Sequence, residues 1–221
     1  MLDQTTTKGK IFAASMRLAA EYKWSEVTLH MISVDAGVSM FDLRKNLCSK
    51  KHIFELMNTT FDKAVLSSLS SKKDNQLPRD NIFETIMARF DVMEPYKKSI
   101  KSIFYEPRLD PRFLQQFLSS QKWMLEASGV SSEGVVGRVK TIGFASIYFL
   151  TFKVWIEDTD PGMARTMAEL DRQIRRGEHT TKILSESINS FKQIFSKFNG
   201  CNRKNRKTYH TDNDPINVNC N

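Results

Sequence analysis

TLHMISVDAGVSMFDLRKNLCSKKHI, residues 28–53, predicts two short helices joined by a tight turn, with a third helix starting behind them. Thr28 and Ser39 carry hydroxyl groups that can cap helix N-termini by accepting a backbone N–H. Gly37 stands where the first helix has to stop, and glycine tolerates the left-handed conformation needed there. The segment therefore has the pattern of a helix-turn-helix, whose second helix, expected at residues 40–47, can enter the major groove of DNA.

The same region resembles the tetracycline-repressor family of bacterial regulators. The matching residues, all within about the first 60, are A-G-V-S at 36–39, Leu43, S-K at 49–50 and I-F at 53–54. Arg44 stands where the family usually has a tyrosine that touches phosphate, and Leu47 stands where phenylalanine is usual. The resemblance implies an all-α fold, with an N-terminal three-helix head that contains the helix-turn-helix and a C-terminal helical bundle. It also implies a homodimer that places two heads on a palindromic DNA operator.

Composition and charge fit a globular protein with an anionic partner. Of the 221 residues, 40% are hydrophobic and 26% are charged, and the net charge of +8 favours a polyanion such as DNA or an anionic lipid surface. Residues 1–52 carry a net charge of only +3, so this signal is mild in the head. The three cysteines form no disulfide or zinc pattern, and the N-terminus lacks the apolar run of a signal peptide. We therefore expect a cytoplasmic protein without a metal or cofactor.

Breaks in the apolar pattern divide the chain into four parts. We expect a helix-turn-helix DNA-binding domain at 1–55, a connecting helix and linker at 56–79, a helical ligand-binding and dimerisation domain at 80–199, and a disordered basic tail at 200–221. Residues 134–158 are apolar nearly all round, which predicts a central helix, and their longest apolar run, 142–156, is too short to span a bilayer. Pro161 is expected in the first turn of the next helix.

Seven residues of the head are candidates for contact with DNA. The N-terminal residues of a recognition helix usually reach base edges, and basic groups and helix starts can hold phosphate. The candidates are Thr28, Ser39, Met40, Phe41, Arg44, Lys45 and Lys50. Met40 and Phe41 offer apolar contact to a thymine methyl, whereas Arg44 and Lys45 can bind guanine or phosphate. For Phe41, a place in the core of the head is the open alternative.

The C-terminal part is rich in aromatic residues at helical spacing. If its helices splay, a hydrophobic ligand pocket would be lined by Phe90, Phe117, Trp123, Phe144, Tyr148, Phe152 and Trp155. The same pattern also fits a plain core or a dimer interface. The four histidines are scattered, and the sequence contains no P-loop, G-x-S-x-G or dinucleotide fingerprint. We therefore expect a binding protein rather than an enzyme.

A second resemblance lies at residues 153–174, KVWIEDTDPGMARTMAELDRQI. This stretch is similar to the C-terminal signature of lipid-binding ubiquinone-biosynthesis proteins of mitochondria and their alphaproteobacterial relatives, which share the fold but have lost DNA binding. The matching residues are Trp155, Asp158, Asp160, Thr166, Leu170, Asp171 and Arg172. A structural ion-pair network is the alternative role for Asp171 and Arg172.

Taken together, these patterns predict a sequence-specific DNA-binding transcriptional regulator, a repressor controlled by a hydrophobic small molecule or lipid. The expected partners are a palindromic double-stranded operator and a second copy of the chain. The alternative is a lipid- or isoprenoid-binding accessory protein of ubiquinone biosynthesis that does not bind DNA. The A-G-V-S and S-K matches favour the regulator, whereas Arg44, the mild basic charge and residues 153–174 favour the alternative.

Overall fold

The described part of the chain is built from helices. The computed structural model describes residues 5–69, 77–105 and 111–177, with side chains from residue 114 onward in the last range. The helices are α1 (Thr7–Glu21), α2 (Leu29–Ala36), α3 (Met40–Asn46), α4 (His52–Leu69), α5 (Pro78–Met93), α6 (Lys97–Phe104), α7 (Pro111–Ala127), α8 (Gly134–Trp155) and α9 (residues 164–177). No strand occurs among these residues, and the predicted all-α fold is confirmed. The last part of the expected helical domain, residues 178–199, and the expected basic tail lie outside the described residues.

Helices α1, α2 and α3 form a small head around a shared apolar core. Thr28 caps α2 and Ser39 caps α3, each accepting the N–H three residues further on, at 3.1 and 3.0 Å. Gly37 ends α2 in the left-handed conformation, with φ of 61°. Leu43 is 1% exposed and anchors α3 in the core of the head. The predicted helix-turn-helix is therefore confirmed, with α3 ending at Asn46 rather than at residue 47.

Helix α4 runs from the head into the helical body. It packs against α1 in the head and against α5 and α7 in the body. Its buried side consists of Ile53, Met57, Asn58, Thr60, Phe61 and Val65. The expected domain boundary at residue 55 falls inside this helix, so the head and the body are joined by continuous helical backbone.

An aromatic stack holds α5 against α8 in the body. The ring of Phe90 lies between those of Tyr148 and Trp155, with centroid distances of 5.4 and 5.3 Å. Trp155 is fully buried, and its indole N–H donates to the carboxylate of Glu94 at 2.8 Å. The Nζ of Lys97 lies 4.8 Å from the centroid of the Trp155 ring. The end of α8 is thereby fixed against the end of α5 and the start of α6.

Helix α8 is less central than its composition predicts. Its inner face packs through Tyr148 against Phe90 of α5 and Phe117 of α7. Its opposite face exposes the apolar residues Val135, Val136, Val139, Ile142, Phe149 and Leu150. The prediction of burial all round is wrong, because an apolar composition does not show which faces of a helix have a neighbour in the same chain.

Helix α8 is also longer than the apolar run of residues 142–156 that was expected to be too short for a bilayer. With 22 residues, it is the one helix in the described ranges that is long and apolar enough to cross a membrane by those two criteria alone. The buried core helix of a globular protein meets the same criteria. The inner face of α8 is occupied by side-chain contacts to α5 and α7, as such a core helix requires.

The segment before α9 differs from the prediction at Pro161. The carboxylate of Asp160 accepts the N–H groups of residues 162 and 164, both at 3.1 Å. These bonds place Pro161 in a turn, and α9 begins only at residue 164. A short acidic side chain that satisfies nearby backbone donors therefore determines this helix start, rather than the proline.

Gly37→Val should destabilise the protein by about 1–2 kcal/mol, since a branched side chain is strained in the left-handed conformation. No atom lies within 4 Å of the position that a Cβ would take, so the cost is conformational and not steric crowding by a neighbour. Gly37→Asn is the matched control, because asparagine tolerates this conformation better. Urea unfolding measures both variants, and an equal loss of stability would contradict this assignment.

Candidate DNA-binding surface and ligand cavity

The outer face of α3 is an exposed surface that carries both apolar and basic groups. Phe41 is 77% exposed and Met40 is 47% exposed, while Arg44 and Lys45, one turn further on, are also exposed. Phe41 therefore lies on the surface, and its alternative place in the core of the head is excluded. Leu43 and Leu47 are buried in the core instead. The head thus presents four of its predicted DNA contacts together.

The carboxylate of Asp42 stabilises the N-terminus of α3. The hydroxyl of Ser39 donates to the Asp42 carboxylate at 2.6 Å and accepts the Asp42 N–H at 3.0 Å. This reciprocal pair resembles a capping box, and the N-terminus of a helix favours a nearby anion. Ser39 and Asp42 therefore determine where α3 begins.

The two remaining candidates of the head lie at other helix starts. Thr28 is exposed, and its hydroxyl oxygen caps α2. Lys50 is partly buried; its ammonium donates to the backbone carbonyl of Trp24 and lies 4.5 Å from the centroid of the Trp24 ring. Lys50 therefore holds Trp24 in the head, a role that sequence analysis did not anticipate.

A cavity of about 700 Å³ lies in the body between α4, α5, α6, α7 and α8. Its lining is mainly apolar: Phe54, Met57, Asn58, Phe61, Arg89, Met93, Ile100, Ile103, Phe104, Leu114, Phe117, Leu118, Ile142, Ala145, Ser146, Tyr148, Phe149 and Phe152. This volume and lining are typical of sites for small apolar ligands.

The seven predicted ligand-binding residues fall into three groups. Phe117, Tyr148 and Phe152 line the cavity. Phe90 and Trp155 lie behind that wall in the aromatic stack, and Phe144 is buried without reaching the cavity. Trp123 is 60% exposed and borders a second, more polar cavity of about 430 Å³, whose lining shares Asn58 with the first.

A buried polar network closes one end of the large cavity. Arg89, 2% exposed, forms an ion pair with Asp62 through Nη1. Its Nη2 donates to the Asn58 carbonyl oxygen and its Nε to the Tyr148 hydroxyl, both at 3.2 Å. The hydroxyl of Ser120 donates to Asp62 at 2.7 Å. Residues from α4, α5, α7 and α8 thus meet at one guanidinium.

The network keeps Arg89 charged and Tyr148 neutral. Burial by itself would lower the pKa of Arg89, but the charge of Asp62 and the hydrogen bonds to Asp62 and Tyr148 raise it overall. Burial raises the pKa of Tyr148 above its ordinary value. Of this network, Arg89, Asn58 and Tyr148 line the large cavity, whereas Asp62, which neutralises Arg89, lines a smaller cavity next to it.

Asn58 and Arg89 were not among the residues predicted from the sequence, although the pattern around each of them carries a signal. Arg89 follows Ile86 by three residues, on the side of α5 that is otherwise apolar, and Asn58 precedes Asp62 by four residues on α4. A basic residue on an apolar helix face usually has a buried partner. A search for an acidic residue on a neighbouring helix could therefore have indicated this pair.

Helix α6 touches both the cavity and the head. Ile100, Ile103 and Phe104 line the cavity. On the side that faces α1, the Ser99 hydroxyl donates to the carbonyl of residue 16 at 2.5 Å. The Ser102 hydroxyl donates to the carbonyl of residue 22 and accepts the N–H of residue 24, both at 3.1 Å. A shift of α6 caused from the cavity would therefore act directly on the head.

The residues of the 153–174 resemblance make packing contacts. The Asp158 carboxylate, 2% exposed, accepts the N–H and the hydroxyl of Thr166 at 3.1 and 2.7 Å. Burial raises the pKa of Asp158, but the bonds from Thr166, the N–H of residue 160 and the charge of Lys97 together hold that pKa below its ordinary value. Asp171 pairs with Arg79 and Arg175, and Arg172 pairs with Glu169. The cavity-lining residues all precede residue 153.

The described ranges contain no group of three or more histidine, cysteine, aspartate or glutamate side chains that could hold a metal ion. The cavity lining includes Arg89 and Tyr148 but no carboxylate, histidine or cysteine. The arrangement is therefore suited to binding an apolar molecule.

Two solved structures share this architecture. The TetR transcriptional regulator from Nitrosomonas europaea ATCC 19718 superposes with a TM-score of 0.65 at 18% sequence identity, over 78% of this chain and 98% of that chain. The TetR transcriptional regulator from Rhodococcus sp. RHA1 gives a TM-score of 0.59 at 16% identity, over 79% of this chain and 97% of that chain. No protein-family model matches the sequence, and no curated protein matches it.

Arg89→Met should cost about 3–5 kcal/mol of stability, because it leaves Asp62 without its cation in a partly buried position. The double variant Arg89→Met with Asp62→Leu should cost less than Arg89→Met alone, since it removes both charges and fills the space with apolar groups. Urea unfolding of the two single variants and the double variant measures the coupling. Costs that simply add would show that the two side chains do not act as a pair.

Proposed function

We propose that this chain, which has the fold of TetR transcriptional regulators, is itself a sequence-specific DNA-binding regulator. The observation that carries the proposal is the outer face of α3, where exposed Met40 and Phe41 lie next to the cations Arg44 and Lys45. A large aromatic ring gains free energy when a partner removes it from water. In a major groove, this ring can contact a thymine methyl while the cations bind guanine or phosphate.

A second copy of the chain completes the DNA-binding unit in this proposal. Helix-turn-helix proteins commonly bind as two-fold dimers to half-sites about one turn of DNA apart, so the expected operator is palindromic. We assign the dimer contact to the exposed apolar face of α8, which includes Val135, Val139 and Ile142. Contact between two copies there would remove a contiguous apolar surface from water.

Control by a hydrophobic small molecule or lipid is the second part of the proposal. A ligand in the cavity presses on Ile100, Ile103 and Phe104, whereas the serines of the same helix are bonded to the head. Displacement of α6 would therefore move the head and change the spacing of the two recognition helices. Such a protein acts as a repressor in the cytoplasm and is released from its operator by the ligand. This function needs no catalytic step, metal or cofactor.

The alternative is a lipid- or isoprenoid-binding accessory protein of ubiquinone biosynthesis that does not bind DNA. The resemblance at 153–174 and the arginine at position 44 favour it. The packing role of Asp158, Asp171 and Arg172 weakens it, because these residues stabilise α9 and do not line the cavity. An apolar cavity fits both functions, so DNA binding distinguishes them.

Selection of bound sequences from a random duplex pool, at two salt concentrations, tests the proposal. A DNA-binding regulator should enrich a palindrome, with an affinity that falls steeply as salt rises. Failure to enrich any sequence even at low salt would exclude DNA recognition and leave the lipid-binding alternative.

Arg44→Ala should weaken binding to the selected operator by about 1–3 kcal/mol if the guanidinium contacts a guanine. Phe41→Ala should also weaken binding, and neither change should lower the melting temperature, since both side chains are exposed. Arg165→Ala is the matched control, because it removes an exposed arginine on α9, outside the head. Fluorescence anisotropy measures the affinities. An equal loss in the control would mean that net charge, and not a contact of α3, is responsible.

Ser102→Ala should reduce the factor by which an apolar ligand weakens operator binding, because it removes both bonds between the Ser102 side chain and the head. Each lost bond costs about 1 kcal/mol or less in this half-exposed position, so the variant should fold. Ser128→Ala serves as control, because the Ser128 hydroxyl, just after the end of α7, donates to the carbonyl of residue 125 and does not contact the head. The measurement is the operator affinity with and without saturating 2-acetylnaphthalene, an uncharged and largely apolar compound that serves as the probe for the cavity. An undiminished factor in Ser102→Ala would contradict coupling through α6.

A further inference from the structure

Helix α3 carries two large apolar side chains that the head does not bury. Phe41 is 77% exposed and Met40 is 47% exposed, whereas Leu43, the third apolar residue of the same helix, is 1% exposed. An apolar side chain that stays in water forgoes free energy that contact with a partner would recover. The exposed pair therefore indicates a contact that is completed outside this chain.

The basic groups beside the ring indicate the chemistry of that partner. Arg44 and Lys45 follow Phe41 by three and four residues, which places the three side chains on the same face of α3. Both basic residues are exposed. A surface that joins an aromatic ring to two cations matches a major groove, where base edges lie between two rows of phosphates.

The polar side chains along α3 are occupied by the helix itself. The Ser39 hydroxyl donates to the Asp42 carboxylate at 2.6 Å and accepts the Asp42 N–H at 3.0 Å. The Asn46 amide nitrogen donates to the carbonyl of residue 42 at 2.8 Å. Groups that are already bonded gain little free energy when they exchange those bonds for bonds to a base. At the N-terminal end of α3, the side chains of Met40 and Phe41 are therefore the ones left for contact with bases.

An apolar side chain in the major groove can recognise one feature of a base, the methyl group at C5 of a pyrimidine. Thymine carries this methyl beside its O4 acceptor, whereas cytosine carries an N4 amine and no methyl. A phenyl ring forms no strong hydrogen bond, so it responds to the methyl and not to the exchange of O4 for N4. Because 5-methylcytosine has the same methyl at the same ring position, it offers the ring the same contact.

We propose that Phe41 recognises the C5 methyl group itself, so that 5-methylcytosine is bound in place of thymine and in preference to unmethylated cytosine. Met40 extends the same apolar surface. This inference rests on the proposed DNA binding and specifies the chemical group that α3 recognises. An operator variant with cytosine at this base pair is therefore bound more tightly once that cytosine is methylated at C5.

Four versions of the selected operator test the proposal. The thymine that contacts Phe41 is found by replacing each thymine of one half-site by deoxyuridine in turn and choosing the position with the largest loss. That base pair is then made T·A, U·A, C·G or 5-methylcytosine·G, and fluorescence anisotropy with the full chain gives the four affinities. T·A should be bound about fourfold more tightly than U·A, and 5-methylcytosine·G about fourfold more tightly than C·G, since each comparison removes one methyl from water.

Phe41→Ala should bring both affinity ratios close to one, because it removes the ring that contacts the methyl. Arg44→Ala is the matched control. It should weaken binding to all four duplexes while leaving both ratios at the wild-type value, since each ratio compares two base pairs that differ only in the methyl. Both side chains are exposed, so both variants should fold, and circular dichroism checks this.

Each contrary outcome has a distinct meaning. Ratios near one in the wild-type chain would overturn methyl recognition while leaving DNA binding in place. Ratios that persist in Phe41→Ala would show that the methyl acts through another residue or through the shape of the DNA, and would overturn the role of Phe41. A methyl effect on the A-paired base alone would overturn recognition of 5-methylcytosine. If the selection experiment enriches no sequence, the proposed function fails, and this inference fails with it.

Discussion

The ion pair between Arg89 and Asp62 is the constraint on which the rest of the body depends. A guanidinium that is 2% exposed is tolerated only if its partners are in place, because an uncompensated buried charge is very costly. Those partners come from three other helices: Asn58 and Asp62 from α4, Tyr148 from α8, and Ser120 from α7 through its bond to Asp62. Four helices are therefore held at fixed separations around one polar group, and the cavity is the space that remains beside it.

This constraint explains how an apolar cavity can be linked to a distant surface. The helix that supplies Asn58 and Asp62 also packs against α1, and α6 forms part of the cavity wall while its serines are bonded to the head. A change in the cavity can thus act on α3 through two helices, without a long chain of weak contacts. Coupling of this kind requires only that the bound ligand favours one arrangement of these helices over another.

The head could be predicted from sequence, whereas the cavity could be predicted only in part. The signals in the head are local. Thr28 and Ser39 cap the helices that follow them, Gly37 allows the turn between these helices, and Leu43 fits the helical spacing of the apolar residues. Periodicity also identified Phe117, Tyr148 and Phe152 as candidates for the cavity lining, but it could not separate them from Phe90 and Trp155. Whether such a side chain lines the cavity or lies in the packed core depends on the spacing between helices, which periodicity does not show. Asn58 and Arg89 were missed because their meaning depends on partners from other helices. The helix start predicted at Pro161 was wrong, because the Asp160 carboxylate accepts the backbone N–H groups of residues 162 and 164 and holds Pro161 in a turn.

Reciprocal linkage between the cavity and the head is the central claim, and a single thermodynamic cycle measures it. The affinity for the selected operator is determined with and without saturating 2-acetylnaphthalene, and the affinity for 2-acetylnaphthalene with and without saturating operator. If the two sites are coupled, both ratios are equal, and the ligand weakens DNA binding by a factor in the range of about 5–150. Two ratios of one, with both ligands bound at the same time, would contradict the proposed mechanism.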